Sequence, residues 1–297
     1  MRIKPSESEF SESRANALEA FMRCLETGDV AAAPKCVLVA AHPDDETLGA
    51  GAQLAGPLRR ITIVHVTDGA PRKASEAIAH GFETPEAYAR QRRQELAKAM
   101  EVAGIGADQL VELGIRDQES FLALNEISRR LAGIFVESGA EIVITHPYEG
   151  GHPDHDSAAF CVHAAHDLIE AKGDRAPVIV EFPSYHLKDE KLLTGHFLSD
   201  SVPLRANPLR EINIHLSGPA KLRKLRILRS FASQLEVIRM FDVEWERFRE
   251  APAYDFSAAP HPGGLLYEAH DWGTSGVLWR EKAVAGLREL AIRKERL

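Results

Sequence analysis

Two short apolar runs constrain this chain more than any other feature. Residues 36–41 (CVLVAA) and 61–66 (ITIVHV) show no alternation of polar and apolar positions. Such runs are strands whose two faces are both covered, which requires helices on either side of the sheet. Helix-like segments follow at the right places: 47–55, then 85–103 behind a Thr84 cap, then 121–138 ahead of Gly139. Residues 109–113, 141–145 and 177–182 supply further strands. The β-α-β-α rhythm predicts an α/β fold: a Rossmann-like, doubly wound, mostly parallel sheet with helices on both faces.

A leading amphipathic helix is expected over 11–27, where Leu18, Phe21, Met22 and Leu25 share one face and Gly28 supplies a stop. From Glu211 the pattern changes to a strand at 212–216, a basic helix at 219–241 and a Pro/Gly-rich stretch at 251–264. No linker separates this part, so a single domain over 1–297 is expected, with a core of about 35–210 and a C-terminal extension of about 211–297. The 297 residues, 44% hydrophobic, suffice for one full core.

A formal net charge of −8 argues against a nucleic-acid partner, which would need an excess of lysine and arginine on one face. A small-molecule substrate fits better. Residues 1–10 have no apolar leader segment, and no apolar run is long enough to span a bilayer. Cys24, Cys36 and Cys161 are too few and too scattered for a disulfide framework. A reducing cytoplasm is the expected location, with a homo-oligomer left open.

The first strand runs straight into His42-Pro43-Asp44-Asp45-Glu46-Thr47. The fourth runs into His146-Pro147 and then Gly151-His152-Pro153-Asp154-His155-Asp156. In the common strand order 3-2-1-4-5, strands one and four are neighbours with connections on opposite faces, and the crevice between them is where such sheets bind ligands. Imidazoles and carboxylates meeting there are costly unless a cation compensates them. Histidine and carboxylate ligands with one position left for water describe a catalytic zinc site. A plainer reading makes Asp44 or Asp45 the N-cap of the next helix, Asp156 the cap near Ser157, and His152 and His155 ordinary surface residues. Two such clusters at adjoining strand ends tip the balance toward metal.

These motifs resemble the PIG-L or LmbE-like N-acetylglucosaminyl deacetylases, through Ala41 to Glu46 (AHPDDE) and His152-Pro153-Asp154-His155. The resemblance runs from about Lys35 through Thr67-Asp68-Gly69, Arg92-Arg93-Gln94-Glu95 and Thr145-His146-Pro147 to Lys221 and Ser233-Gln234. It implies one Zn2+ per chain held by His42, Asp45 and His155, with Asp44 as general base and His152 as electrophilic or acid partner. It also implies that Asp154 orients and polarises His152. Zinc can lower the pKa of water to about 7, and Asp44 would take the proton. Zinc and protonated His152 would share the oxyanion, because Gly150 stands where some members have a tyrosine and Tyr148 is displaced from that position. Phe231 likewise stands where tyrosine is frequent. The implied reaction removes an acetyl or other acyl group from the amino group of an N-acetylated sugar or glycoconjugate.

Asp68 and Arg72, on the loop after strand two, are expected substrate contacts, weighed against ordinary solvated side chains. The lysines and arginines from Lys221 to Arg229 could attract an anionic substrate such as a nucleotide sugar or phosphoinositol sugar, but read more simply as the solvated face of an amphipathic helix. His80, His163, His166, His196 and His270 are expected to point away from the site. The stretch 261–268, with Trp272 and Trp279 behind it, offers a sugar-stacking surface or, more simply, core aromatics. Two other functions compete. A non-heme iron oxygenase would also use two histidines and a carboxylate. A non-catalytic binding module on this fold would want the glycine fingerprint that His42-Pro43-Asp44-Asp45 replaces.

Overall fold

Alternate residues of each central strand enter opposite cores. Along β1 (Cys36–Ala40), Leu38 and Ala40 face one way, and Val37 and Val39 the other. The computed structural model describes residues 7–31, 33–198, 209–270 and 272–291. The reading of residues 1–10 as lacking a leader falls mostly outside these.

The first face is covered by α1 (Glu7–Thr27), α2 (Asp45–Leu54), α4 (Pro85–Ala103) and α7 (Gly218–Leu228). Phe21, Leu54, Leu96 and Ile227 reach into its core. The second is covered by α5 (Leu124–Ser138), α6 (Pro153–Ala171) and α9 (Gly276–Glu289), through Ile127, Phe160 and Trp279. Between them lie β2 (Thr62–Pro71), β3 (Leu110–Asp117), β4 (Ile142–Thr145) and β5 (Val178–Glu181), with the short α3 (Ala74–Ala79) after β2.

The sheet runs β3-β2-β1-β4-β5-β9-β8, where β8 is Glu211–His215 and β9 is Trp245–Glu250. The first five strands are parallel, in the doubly wound order expected from the sequence. β9 pairs antiparallel with β5, and β8 with β9, so the C-terminal extension prolongs the central sheet. A separate hairpin pairs β6 (Tyr185–Lys188) with β7 (Lys191–Thr194).

Several elements depart from expectation for local reasons. β3 continues past the apolar run to Asp117, through Gly114 at φ +73. The β6-β7 turn has positive φ at Asp189 and Glu190, residues that lack the Asn-Gly signature of such turns. The basic segment is not one helix. After α7 it breaks into a 3-10 turn at Ala232–Gln234 and the short α8 (Leu235–Ile238). The break is held by Ser233, whose N–H and hydroxyl both donate to Glu95 at 3.0 and 2.7 Å.

Lys224 is not on a solvated face either, being only 1% exposed. Its Nζ lies 2.9 Å from Glu246 Oε1 and donates to the Leu48 carbonyl at 2.7 Å. The same Glu246 oxygen accepts the Ala52 N–H at 2.8 Å, so one buried ion pair ties β9 and α7 to α2. Removing one partner of such a pair strands the other charge. Lys224→Met should therefore cost about 3–5 kcal/mol in denaturant unfolding. Adding Glu246→Gln should restore part of the loss.

Candidate active site

Parallel pairing sets Cys36, Val37 and Leu38 opposite Ile142, Val143 and Ile144, so the loops leaving β1 and β4 emerge side by side. Asp45 stands at their meeting point. Its Oδ2 accepts the His42 backbone N–H at 2.8 Å and lies 3.1 Å from His42 Nδ1. Its Oδ1 lies 3.3 Å from His155 Nε2. His146 Nε2 is 3.4 Å from Asp45 Oδ2 and accepts the Ala41 N–H at 3.1 Å. All four side chains are buried.

Neither aspartate makes the simple helix cap. Asp44 occupies the N-cap of α2 without a side-chain cap bond, at φ 132, a conformation that costs about 1–3 kcal/mol outside glycine. Its carboxylate instead meets Arg92 Nη1 at 3.2 Å, while Arg92 Nη2 donates to the Pro43 carbonyl at 2.6 Å. The Asp44 N–H is taken by Glu46, which also lies 3.0 Å from His65 Nε2. Asp156 does not cap α6: it accepts the N–H groups of Glu149 and Gly150, and the cap is His152, whose Nδ1 accepts the Asp154 N–H at 3.1 Å. Gly151 is needed here, because a β-carbon would overlap the Tyr185 carbonyl oxygen.

Asp154 departs from its implied role. Its Oδ2 lies 3.2 Å from His42 Nε2 but 3.8 Å from His152 Nδ1. The Gln118 N–H donates to Oδ2, and the N–H and hydroxyl of Ser120 donate to Oδ1. The backbone of Asp154, rather than its carboxylate, orients His152, and it leaves the imidazole proton on Nε2. Burial and the nearby His42 hold the His152 pKa well below its ordinary value, so this imidazole is neutral where the sequence reading had it protonated. Burial also disfavours charge on His42, but Asp117, Asp154 and Asp45 outweigh it and raise its pKa. Burial opposes the Asp45 charge too, yet His155 and His146 hold its carboxyl well below the usual range. For Asp44, burial prevails over Arg92 and pushes the carboxyl up to about 7.

His42, Asp45 and His155 form one group of side chains close enough to share a metal ion, and His42, Asp117, His152 and Asp154 form another. The first fits a metal better. Both ring nitrogens of His155 are buried without a hydrogen bond, and a cation bound at Nε2, which faces Asp45, would satisfy one of them. Ligands about 2.0–2.2 Å from a tetrahedral ion stand roughly 3.4 Å apart, close to the separations seen around Asp45. The lone pairs of Asp154 are already engaged, which suits a residue that holds His42 rather than an ion.

Asp117 was missed in the sequence because its strand seemed to end at Leu113. Its Oδ1 lies 3.2 Å from His42 Nε2. A cavity of about 380 Å³ opens onto the cluster, bounded also by Tyr88, Tyr185, Gln234 and Trp272. His80 and His270, expected elsewhere, line it, stacked on Tyr88 and Trp272. Asp68 and Arg72 do not. Asp68 accepts the N–H groups of Ala70 and Asp117, and the Arg72 side chain, 67% exposed, pairs with Glu119 at 2.7 Å. Trp279 is core, donating to Pro153 and Ser157. Tyr148 is also buried, its hydroxyl donating to the Ala258 carbonyl.

Fold and cluster together define the class: a Rossmann-like α/β protein with a buried, metal-capable imidazole-carboxylate site at the carboxyl ends of its parallel strands. Residues 37–166 match the family model described as GlcNAc-PI de-N-acetylase, PIG-L. No curated protein matches the chain. Solved structures share the fold at low identity. The teicoplanin-pathway deacetylase is 16% identical with a TM-score of 0.56, over 72% of this chain and 96% of that one. The A40926 pseudoaglycone deacetylase is 18% identical, with a TM-score of 0.54 over 73% and 96%. The N,N'-diacetylchitobiose deacetylase of Pyrococcus horikoshii is 18% identical, with a TM-score of 0.50 over 78% and 92%.

The contact between Asp154 and His42 has a measurable consequence. If Asp154 fixes a metal-binding imidazole, Asp154→Asn should weaken divalent-metal affinity about 10–100-fold, read by competition with a chelator. Unchanged affinity would remove Asp154 from that role.

Proposed function

We propose that this chain is a metal-dependent N-deacetylase that removes an acetyl or related acyl group from the amino group of an N-acetylated sugar or sugar conjugate. The observation carrying the reading is the cluster at the foot of the cavity: His42, Asp45 and the orphaned imidazole of His155, within a segment that matches a de-N-acetylase family. We assign the metal to these three residues and take zinc, one per chain, as the ion their donor set suits. A solved structure of the same fold is that of a zinc-inhibited form of teicoplanin deacetylase, which is in keeping with a metal site and does not bear on zinc as the working ion. The continuous sheet through β9 and β8 supports treating the chain as one domain. No helix among the described residues is long and apolar enough to cross a membrane.

When bound, the metal supplies a Lewis acid that polarises the acyl oxygen and acidifies water. The chain supplies the proton handling. Asp44 lines the cavity beside Asp45, and its burial places its carboxyl near neutrality, where a base both accepts and returns a proton. Arg92 fixes that carboxylate and prevents it from turning into a helix cap. His152 presents Nε2–H to the cavity as a neutral donor for the developing oxyanion. Deep burial of the cluster keeps these interactions strong by excluding bulk water.

Two variants separate binding from chemistry. Asp44→Asn should retain metal, measured by elemental analysis, while acetate release falls about 10²–10⁴-fold. His155→Ala should lose both metal and turnover. Full activity in the first variant would remove Asp44 as base. Iron in the native protein, with oxygen consumption in place of acetate release, would restore the oxygenase reading.

A further inference from the structure

The cavity is divided between two parts of the chain. Its foot, with His42, Asp44, Asp45, Asp117 and His152, comes from the segment that matches the family. Its outer wall comes from residues beyond that segment: Tyr185, Leu192, Val237, Met240, Leu266 and Trp272. This wall is apolar, and two of its members remain open to solvent although large and hydrophobic, Leu192 at 43% and Met240 at 44%. They mark the mouth.

Among the described residues lining the cavity, Arg92 is the sole lysine or arginine, and it is committed. Two of its nitrogens hold Asp44 and the Pro43 carbonyl, and Nε is buried near Gly69. Against it stand four carboxylates, Asp44, Asp45, Glu76 and Asp117. Recognition of a phosphate favours free lysine or arginine donors, and among the described lining residues none is left over. The polar amides are also occupied: Gln118 donates to Glu76, and Gln234 donates to the Tyr88 hydroxyl.

We infer that the substrate is an amino sugar carrying an uncharged, apolar aglycone, alkyl or aryl, that lies on Leu192, Val237 and Met240, and that phosphorylated or nucleotide-linked amino sugars are excluded. This rests on the deacetylase reading. The acyl group must reach the cluster at the foot, and the aglycone, on C1 beside the C2 nitrogen, then leaves along the cavity wall toward the mouth, where the apolar residues meet it. Trp272 lines the same cavity, its ring stacked on His270 and tilted against His152 at centroid distances of 4.3 and 4.5 Å.

The test compares acetate release by the metal-loaded full chain from N-acetylglucosamine, its octyl glycoside and its 1-phosphate. The octyl glycoside should exceed the free sugar at least about tenfold in kcat/KM, through KM, with the phosphate poorest. Leu192→Ser/Met240→Ser should drive the octyl-to-free ratio toward one. The inference is overturned if the phosphate equals or exceeds the octyl glycoside, or if preference follows N-acyl length and not the aglycone. It is also overturned if Leu192 and Met240 bind neutral phosphatidylcholine vesicles with no aglycone preference. Failure to deacetylate any of the sugars would instead sink the proposed reaction. Calorimetry with Asp44→Asn then decides the inference alone: tighter binding of the octyl glycoside than of the phosphate upholds it, and equal or weaker binding ends it.

Discussion

The parallel pairing of β1 with β4 is the constraint from which the rest follows. Because the two strands run side by side in register, the loops that leave their carboxyl ends must share one space, though more than a hundred residues separate Asp45 from His155. Their following helices, α2 and α6, depart to opposite faces of the sheet and so leave a crevice between them. Nothing in either loop alone would make a site. The β1 loop brings a carboxylate and an imidazole already joined through Asp45, and the β4 loop brings the two imidazoles, His146 and His155, that face its oxygens.

Bringing so many ionisable groups out of water is costly, and the cluster limits the cost by pairing. Asp154 is saturated by Gln118, Ser120 and His42, Glu46 by Thr47, His65 and the Asp44 N–H, and Asp44 by Arg92. His155 keeps only its 3.3 Å approach to Asp45, and His146 Nδ1, Asp117 Oδ1, His65 Nδ1 and Arg92 Nε have no hydrogen-bond partner. The unusual backbone at Asp44 has the same logic: by leaving the capping conformation it gives up a favourable helix contact and holds its carboxylate at the cavity.

The parts legible in the sequence are those with a local signature. Apolar runs gave the central strands, the Thr84 cap opened α4, and the two His/Asp motifs named the cluster. What escaped depends on distant partners. Asp117 sits on a strand extension whose polar residues carry no β-pattern, and it pairs with β2 through an irregular register. Trp245–Glu250 is a strand only because β5 and β8 flank it, since WERFRE alternates poorly. Lys224 looked like surface charge because its partner Glu246 lies beyond the helix break. Asp68 illustrates the opposite error: a carboxylate at the right strand end, spent on two backbone N–H groups.

These escapes share a location. Most lie in or against the part of the chain after residue 195, where structure is dictated by docking onto the core. The docking is specific: Lys224 and Glu246 lock α7 and β9 to α2, and Ser233 and Gln234 fasten the turn before α8 to Glu95 and Tyr88 of α4. α4 also carries Arg92, which holds Asp44. The α8 segment that walls the cavity and the residue that positions the acid therefore hang from one helix. Because the α8 part of the wall is fastened to α4 through Ser233 and Gln234, Val237 and Met240 can vary without disturbing His42, Asp45 or His155. For the proposed deacetylase, that separation places the choice of substrate in the segments where sequence pattern says least.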